Sequence, residues 1–459
     1  MCRSSLFVFV LSTAVARAQN TDSGRSSTQQ ILERLDSLEK QNEQIVKEIH
    51  LLREQLTLVK PPAPDIRGPS VSAANQPTVD HAIIDERLTV QEHRTAEQAQ
   101  TKVEAAHKFP IQLTGMLLFN AFANSAGAPG EDASEYGVLT GPSRDGATLR
   151  QTLLGLDFQG PSLPGNGRMN GYLMMDFWGG PSTPGASWLR LRRAGLSFDW
   201  KRRSIFVGQD KPLISPYQPD SLAEVGVPPL AGAGNLWYWL PQVRYEERFP
   251  LAANIKLTGQ LAIIQTKETY NYAGASTTPP YDQSRPAVEG RLAFSHNFDE
   301  TRKLEIAPGF HFSTSHFAGY SVGSHIGSID FSVVPYRNIQ LSGTAFRGQN
   351  VAGMGSLGNG FSVSYAGVRP VTSSGGWAQL AVPVTSRLTW NFYSGLENDA
   401  NNHLPASRVV RNWTYASNIL YHLGPNLIIG LEAMQLRTRT ASGVLGLYNH
   451  YDLAVGYLF

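Results

Sequence analysis

The chain has 459 residues, a formal net charge of +2, a mean hydropathy of −0.22 and a single cysteine, Cys2. No run of about eighteen apolar residues is present, which excludes a membrane-spanning helix. The near-neutral balance without a basic stripe argues against a nucleic-acid partner. A slightly polar average leaves a membrane barrel open, because barrel strands are apolar only at every second position.

The N-terminus reads as a secretory signal over 1–18: Arg3, the apolar run Leu6–Leu11, and Ala16-Arg17-Ala18 as a small-x-small cleavage site. Cleavage there leaves no cysteine, and therefore neither disulfides nor thiolate metal sites. A lipoprotein is the rival reading, but Cys2 precedes the apolar run. Export is the expectation.

A heptad seam follows within residues 19–60: Ile31, Leu35, Leu38, Asn42, Ile45, Ile49, Leu52, Leu56 and Val59. Its alternating spacing of four and three predicts an α-helical coiled coil. Leucine at a with isoleucine at d leans towards three or four strands, whereas a buried Asn42 pins register and often accompanies two. The seam predicts self-association, with a homotrimer favoured; the alternative is a lone amphipathic helix. Residues 61–107 hold a Pro/Ser/Ala-rich linker, 61–77, and a charged helix or arm, 83–107.

From Lys108 to Phe459 the texture becomes alternating segments separated by turn residues. Strands are predicted at 110–123, 148–159, 168–178, 188–200, 203–211, 241–249, 254–266, 285–297, 302–313, 325–334, 338–347, 376–383, 386–397, 408–422, 426–437 and 446–459. That is about sixteen, an even number within the range of outer-membrane barrels. Short connections alternate with mostly long ones, which is how such barrels separate periplasmic turns from external loops. The last strand puts Leu447, Tyr451, Leu453, Val455, Tyr457 and Phe459 on one face and His450, Asp452, Ala454 and Gly456 on the other. A terminus carrying Tyr457 and Phe459 resembles the signal by which barrel-assembly machinery recognises its clients. The expected fold is thus an all-β transmembrane barrel of about sixteen antiparallel strands, preceded by a coiled coil in the periplasm. Its location would be the bacterial outer membrane, in contact with lipid.

Parity gives the facing. Arg168, Asn170, Tyr172 and Asp176 oppose Met169, Leu173, Met175 and Phe177; Lys256, Thr258 and Gln260 oppose Ile255, Leu257, Leu261 and Ile263. A polar inner face implies an aqueous lumen, since unpaired charges are not buried dry. The connection Pro212–Leu240 is long and proline-rich, and carries Asp220 and Glu224. It is expected to fold into the lumen and set these acids against basic wall residues Arg168, Arg193, Arg244, Lys256, Arg291 and Arg387. The alternative places it on the rim or on a neighbouring subunit. Inward acids (Asp176, Glu246, Glu289, Glu305, Asp330, Glu432) nearly balance the inward bases. From Lys108 on there are 27 Lys/Arg and 23 Asp/Glu, so the basic excess is four.

The heptads, "FVGQDK" at 206–211, "GNLWYWLPQVRYE" at 234–246, "GQNVAGMGSLGNG" at 348–360 and the "YLF" terminus together resemble the DcaP-like family of trimeric porins. The resemblance implies a sixteen-stranded barrel with a periplasmic coiled coil, and passive diffusion of small, often anionic solutes such as dicarboxylates. It implies no cofactor, metal or catalytic residue.

Three matches are set aside. Gly319-Tyr-Ser321-Val-Gly323 lacks the strand–turn–helix setting of a nucleophile elbow. Gly353-Met-Gly355-Ser-Leu-Gly358 has no following helix or βαβ context and reads as a flexible loop. Ser37-Leu-Glu-Lys40 lies on an exposed helix whose Leu38 belongs to the seam. The histidines show no metal-ligand spacing. Competing functions are a barrel enzyme of lipase or protease type, for which His311 and His316 beside Ser313 and Ser315 form the one local cluster, and an envelope tether.

Overall fold

A computed structural model describes residues 111–459, except 128–131, 134, 138–139, 180–186, 267–269, 273–285, 318, 337 and 365–366. The chain divides into two units, Met1–Arg87 and Leu88–Phe459, and every described residue lies in the second. The signal, heptad seam, linker and arm expected before residue 108 lie outside the described residues.

Twenty strands run in chain order: β1 Ile111–Asn124, β2 Arg144–Thr148, β3 Leu153–Leu163, β4 Gly167–Trp178, β5 Ser187–Asp199, β6 Arg203–Asp210, β7 Leu240–Ala252, β8 Ile255–Gln265, β9 Tyr270–Tyr272, β10 Pro286–Asn297, β11 Lys303–Phe317, β12 Tyr320–Tyr336, β13 Ile339–Gln349, β14 Phe361–Ser364, β15 Gly367–Pro370, β16 Thr372–Pro383, β17 Leu388–Asp399, β18 Val409–His422, β19 Leu427–Thr440 and β20 Leu445–Leu458. Seventeen of them form one closed antiparallel sheet. Both β2 and β3 pair with β1, at its far and near ends, and so share one position. The barrel therefore has sixteen staves, the second interrupted at 149–152. The remaining three, β9, β14 and β15, build a small sheet from the long loops.

Closure joins β1 to β20 from Met116↔Leu458 to Asn124↔His450. Gly115 and Phe459 exchange both backbone hydrogen bonds, at 3.0 and 3.2 Å. Leaving no open edge removes the unpaired amides that lipid could not satisfy. Along β20, Leu447, Tyr451, Leu453 and Tyr457 point outward and exposed, whereas Tyr448, His450, Asp452 and Ala454 are buried inside. On β17, Trp390, Phe392 and Leu396 are outside, with Asn391, Tyr393 and Glu397 inside. Exposed leucine, isoleucine, phenylalanine, tryptophan and tyrosine thus encircle the sheet, far beyond the apolar patch a water-soluble monomer shows.

Three local readings are corrected. The hairpin β11–β12 continues to Phe317↔Tyr320, so 314–317 and 320–324 are paired strand and not loop; Tyr320–Gly323 of the G-x-S-x-G match lie in β12. The glycine-rich stretch after β13 is packed, not free: Val351, Ala352 and Met354 are buried, and Tyr238 N–H donates to Met354 O. β17 begins at Leu388, which leaves Arg387 exposed in the preceding turn, where it cannot share the inner face of the strand.

Candidate functional site

Residues 211–239 leave β6 and run round the inside of the wall, bonded to successive staves. Leu213 N–H donates to Glu289 on β10 at 2.7 Å, and Tyr217 hydroxyl to Glu305 on β11 at 2.8 Å. Asp220 exchanges bonds with Gln379 on β16, and its carbonyl accepts from Asn418 on β18. Ser221 donates to Glu432 on β19, and Leu222 carbonyl accepts from Asn120 on β1. Gln151, in the break between β2 and β3, accepts from Val225 and Gly226 N–H and donates to Ala223 carbonyl. Val225 and Gly226 carbonyls then accept from Arg192 and Arg190 on β5. Backbone groups of Leu213, Asp220, Leu222, Ala223, Val225 and Gly226 thus find wall partners, as burial favours.

From Leu230 the segment returns along the wall. Leu230 and Ala233 pack with Trp377, Tyr393, Ala416, Met434, Leu436 and Tyr448. Leu236 and Leu240 join Ile264, Ala287, Ile326, Phe346, Val351 and Met354. Backbone touches backbone here: a Cβ on Gly395 would stand 2.1 Å from Ala233 O, and Gly234, at φ +98°, would put one 2.4 Å from Gly376 O. Only glycine fits both places.

The charge inside the barrel is divided. On β5 a bulge skips one residue between Arg193↔Met174 and Leu191↔Met175. Strict alternation would turn Arg193 away from Arg190 and Arg192; the extra residue turns all three inward. Arg190 and Arg192 share Asp176 (2.5 and 3.2 Å) and stack over Trp239, while Arg193 takes Asp210 at 2.6 Å and Arg244 approaches Asp210 at 3.6 Å. Gln209 donates to Arg192 carbonyl at 2.9 Å and so satisfies an acceptor that the bulge takes out of the ladder. Lys211 adds a fifth cation. Burial, with Arg193 nearby, pushes its ammonium down to about 8. Five cations against two carboxylates leave this wall positive, and Arg190, Arg193 and Arg244 keep 28, 32 and 24% of their side-chain surface accessible. Asp220, exposed to the lumen, lies with Glu432 and Asp452 on the β16–β20 side, where no salt bridge is formed among the described residues.

The other residues singled out from the sequence fall in different places. Arg291 lies inside but is consumed by Asp330 (2.6 Å) and Glu305 (2.7 Å). Arg168 and Lys256 are exposed near the short-turn ends of β4 and β8, and Arg387 lies beyond the strand, so none of the three stands beside the inner segment. Glu224 is 4% exposed and closed to the channel. Missed were Arg190, Arg192 and Lys211; the written signal was "LRLRR", whose first two arginines already share a parity. Of the serine–histidine cluster, His311 bonds Glu289 at 2.9 Å, but neither its other nitrogen nor Ser313 has a partner, and all three side chains are buried. No serine hydroxyl meets the imidazole there, as a nucleophile would require.

No protein-family model and no curated protein matches this sequence. Among solved structures the chain is similar to the outer membrane channel DcaP of Acinetobacter baumannii, at 17% identity over 76% of this chain and 97% of that one, with a TM-score of 0.63. It is also similar to an anion-selective porin from Comamonas acidovorans, at 12% identity over 76% and 99% of the two chains, with a TM-score of 0.50. The shared feature is the fold, a sixteen-stave barrel of the outer-membrane type.

Proposed function

We propose that this chain is an outer-membrane porin, a water-filled channel for passive diffusion of small hydrophilic solutes with a preference for anions. The carrying observation is the inner segment 211–239, bonded along the inner wall; in this reading it narrows the lumen and sets the accessible Arg190, Arg193 and Arg244 against the Asp220 side. Such a transverse field orders water and favours charged or dipolar solutes over apolar ones. The net positive wall leans the choice towards anions, and closely spaced guanidiniums suit a compact dicarboxylate because each carboxylate can be held bidentately. The likeness to an anion-selective porin supports the same reading. Assembly as a homotrimer, with the 31–59 seam as a periplasmic coiled coil and Tyr457 and Phe459 presented to the assembly machinery, completes the proposal.

The test is a reversal potential across a planar bilayer with a potassium chloride gradient. A porin of this design gives stepwise conductance and an anion-directed potential. Silence with lipid turnover would instead point to an enzyme, and silence without it to a tether.

A further inference from the structure

We propose that the outer wall at the long-loop ends of β18 and β19 binds the phosphorylated headgroup of an outer-leaflet lipid through Arg411, Arg437 and Arg439. This rests on the outer-membrane reading, which makes the long-loop end the external one.

The three arginines belong to one face. Arg411 is paired directly with Arg439 across the two strands, and Arg437 is paired with Trp413 one step further down. Trp413, Leu445 and Leu447 are exposed beside them, so this face is the outside of the barrel. Directly opposed residues lie about 5 Å apart at Cβ and residues two apart about 7 Å, so three long cationic side chains rise from a patch that one phosphorylated headgroup can span. Like charges directly opposite destabilise a sheet. Here no acid relieves them. The outward positions of β17 to β20 carry no aspartate or glutamate; Glu397, Asp399, Glu432 and Asp452 all point inward and are buried. Arg411 and Arg439 are exposed.

The patch is also built. Arg437 donates to Gln435 at 2.9 Å and to Tyr415 hydroxyl at 3.2 Å, and lies over the Trp413 and Tyr415 rings. Gln435 in turn donates to Asn449 on β20 at 2.7 Å, and Arg411 donates to Asn398 at 3.1 Å. A row of exposed apolar residues in register, Ile419, Leu431 and Leu453, lies further down the same face. Six residues along β19 separate Leu431 from Arg437, about 20 Å along the strand. Cations at the end of a strand face, aromatics below them and an apolar strip below those match a phosphate, a sugar and an acyl chain in that order. Guanidinium is the group that holds phosphate bidentately.

The experiment uses the full chain in neutral detergent. Binding of bisphosphorylated lipid A, of its dephosphorylated form and of inorganic phosphate is measured by native mass spectrometry and by titration. Wild type is expected to bind the phosphorylated lipid at least tenfold more tightly than the dephosphorylated one, and R411Q/R437Q/R439Q to lose that preference. Inorganic phosphate at equal concentration is expected not to displace the lipid. Equal binding of the two lipids, an unchanged preference in the triple variant, or displacement by inorganic phosphate would each overturn the proposal. Separation of subunits in the triple variant with lipid preference intact would also overturn it and assign the patch to a second copy. Should the glutamine variant fail to fold, R411K/R437K/R439K keeps the charge, and loss of the bidentate contacts is expected to weaken binding severalfold. Conductance of wild type in phosphate-free bilayers is read in parallel, so that a failure of the channel reading is seen separately from a failure of lipid binding.

Discussion

The double substitution R190Q/R193Q is the sharpest test of the lumen electrostatics. Each arginine shares its carboxylate with a second cation: Arg192 also holds Asp176, and Arg244 also approaches Asp210. Removing both therefore takes two positive charges from the lumen without stranding a buried acid, the usual source of large destabilisation. Both side chains are about a third exposed, at 28 and 32%, so the relevant medium is close to water. An ion passing about 7 Å from each guanidinium feels about 0.6 kcal/mol per charge in water. Screening at about 0.1 M salt halves that to roughly 0.6 kcal/mol for the pair. Anions lose this stabilisation and cations are relieved of the same repulsion. The anion-to-cation permeability ratio is expected to fall about eightfold, because each 1.4 kcal/mol is about a factor of ten. In 1 M salt, where the screening length is about 3 Å, the same substitution is expected to change the ratio by less than about twofold. Reversal potentials in paired salt gradients measure both. A ratio unchanged at low salt, with conductance and assembly intact, would refute the placement of these arginines on the solute path.

Lys211 makes selectivity pH-dependent: its ammonium titrates near 8, so it is charged below and neutral above, and anion preference should decline as the pH rises from 7 to 9. K211M should abolish that slope while lowering the preference at pH 7. Gln151→Ala removes three of the bonds that hold 223–226 and leaves buried backbone groups unpaired, at a cost of about 1–3 kcal/mol. Noisier open-channel current and faster cleavage within 211–239 by added protease are the expected signs. Deleting Ile31–Val59 should weaken subunit association, read by cross-linking, far more than it alters single-channel conductance.

Much of this architecture could be read from period alone. Alternation over β17 and β20 declared which residues faced lipid, and it needs no knowledge of neighbours. What escaped was whatever depends on a second segment. The β5 bulge is visible only against the register of β4, so Arg192 was missed although Arg193 beside it was found. "GQNVAGMGSLGNG" looks free because glycine confers freedom, yet Trp237 and Tyr238, more than a hundred residues earlier, press against Gly355 and give it a fixed place. The break at 149–152 leaves no pattern in composition; it exists so that Gln151 can reach 223–226 and Arg150 can lie over Trp178, at 3.8 Å, with Asp132 as its ion partner. Length and proline content did signal that 212–240 was no idle connection, but not that Glu224 would end beneath it.

The inner segment also bears on how the wall is made. Asn120 on the first stave grips both Leu222 and Asp452 of the last, and Ser221 grips Glu432 on the stave beside it. The two lips of the cylinder, more than three hundred residues apart in the chain, therefore meet over a piece from its middle. Long-range pairing of this kind is slow, because the entropy of the intervening chain must be lost first. A mid-chain loop that touches both lips works as a mandrel: once it is seated, the edges are gathered over it before they zip. Chains in which that loop cannot seat should stall as open, assembly-bound sheets instead of maturing into wider tubes.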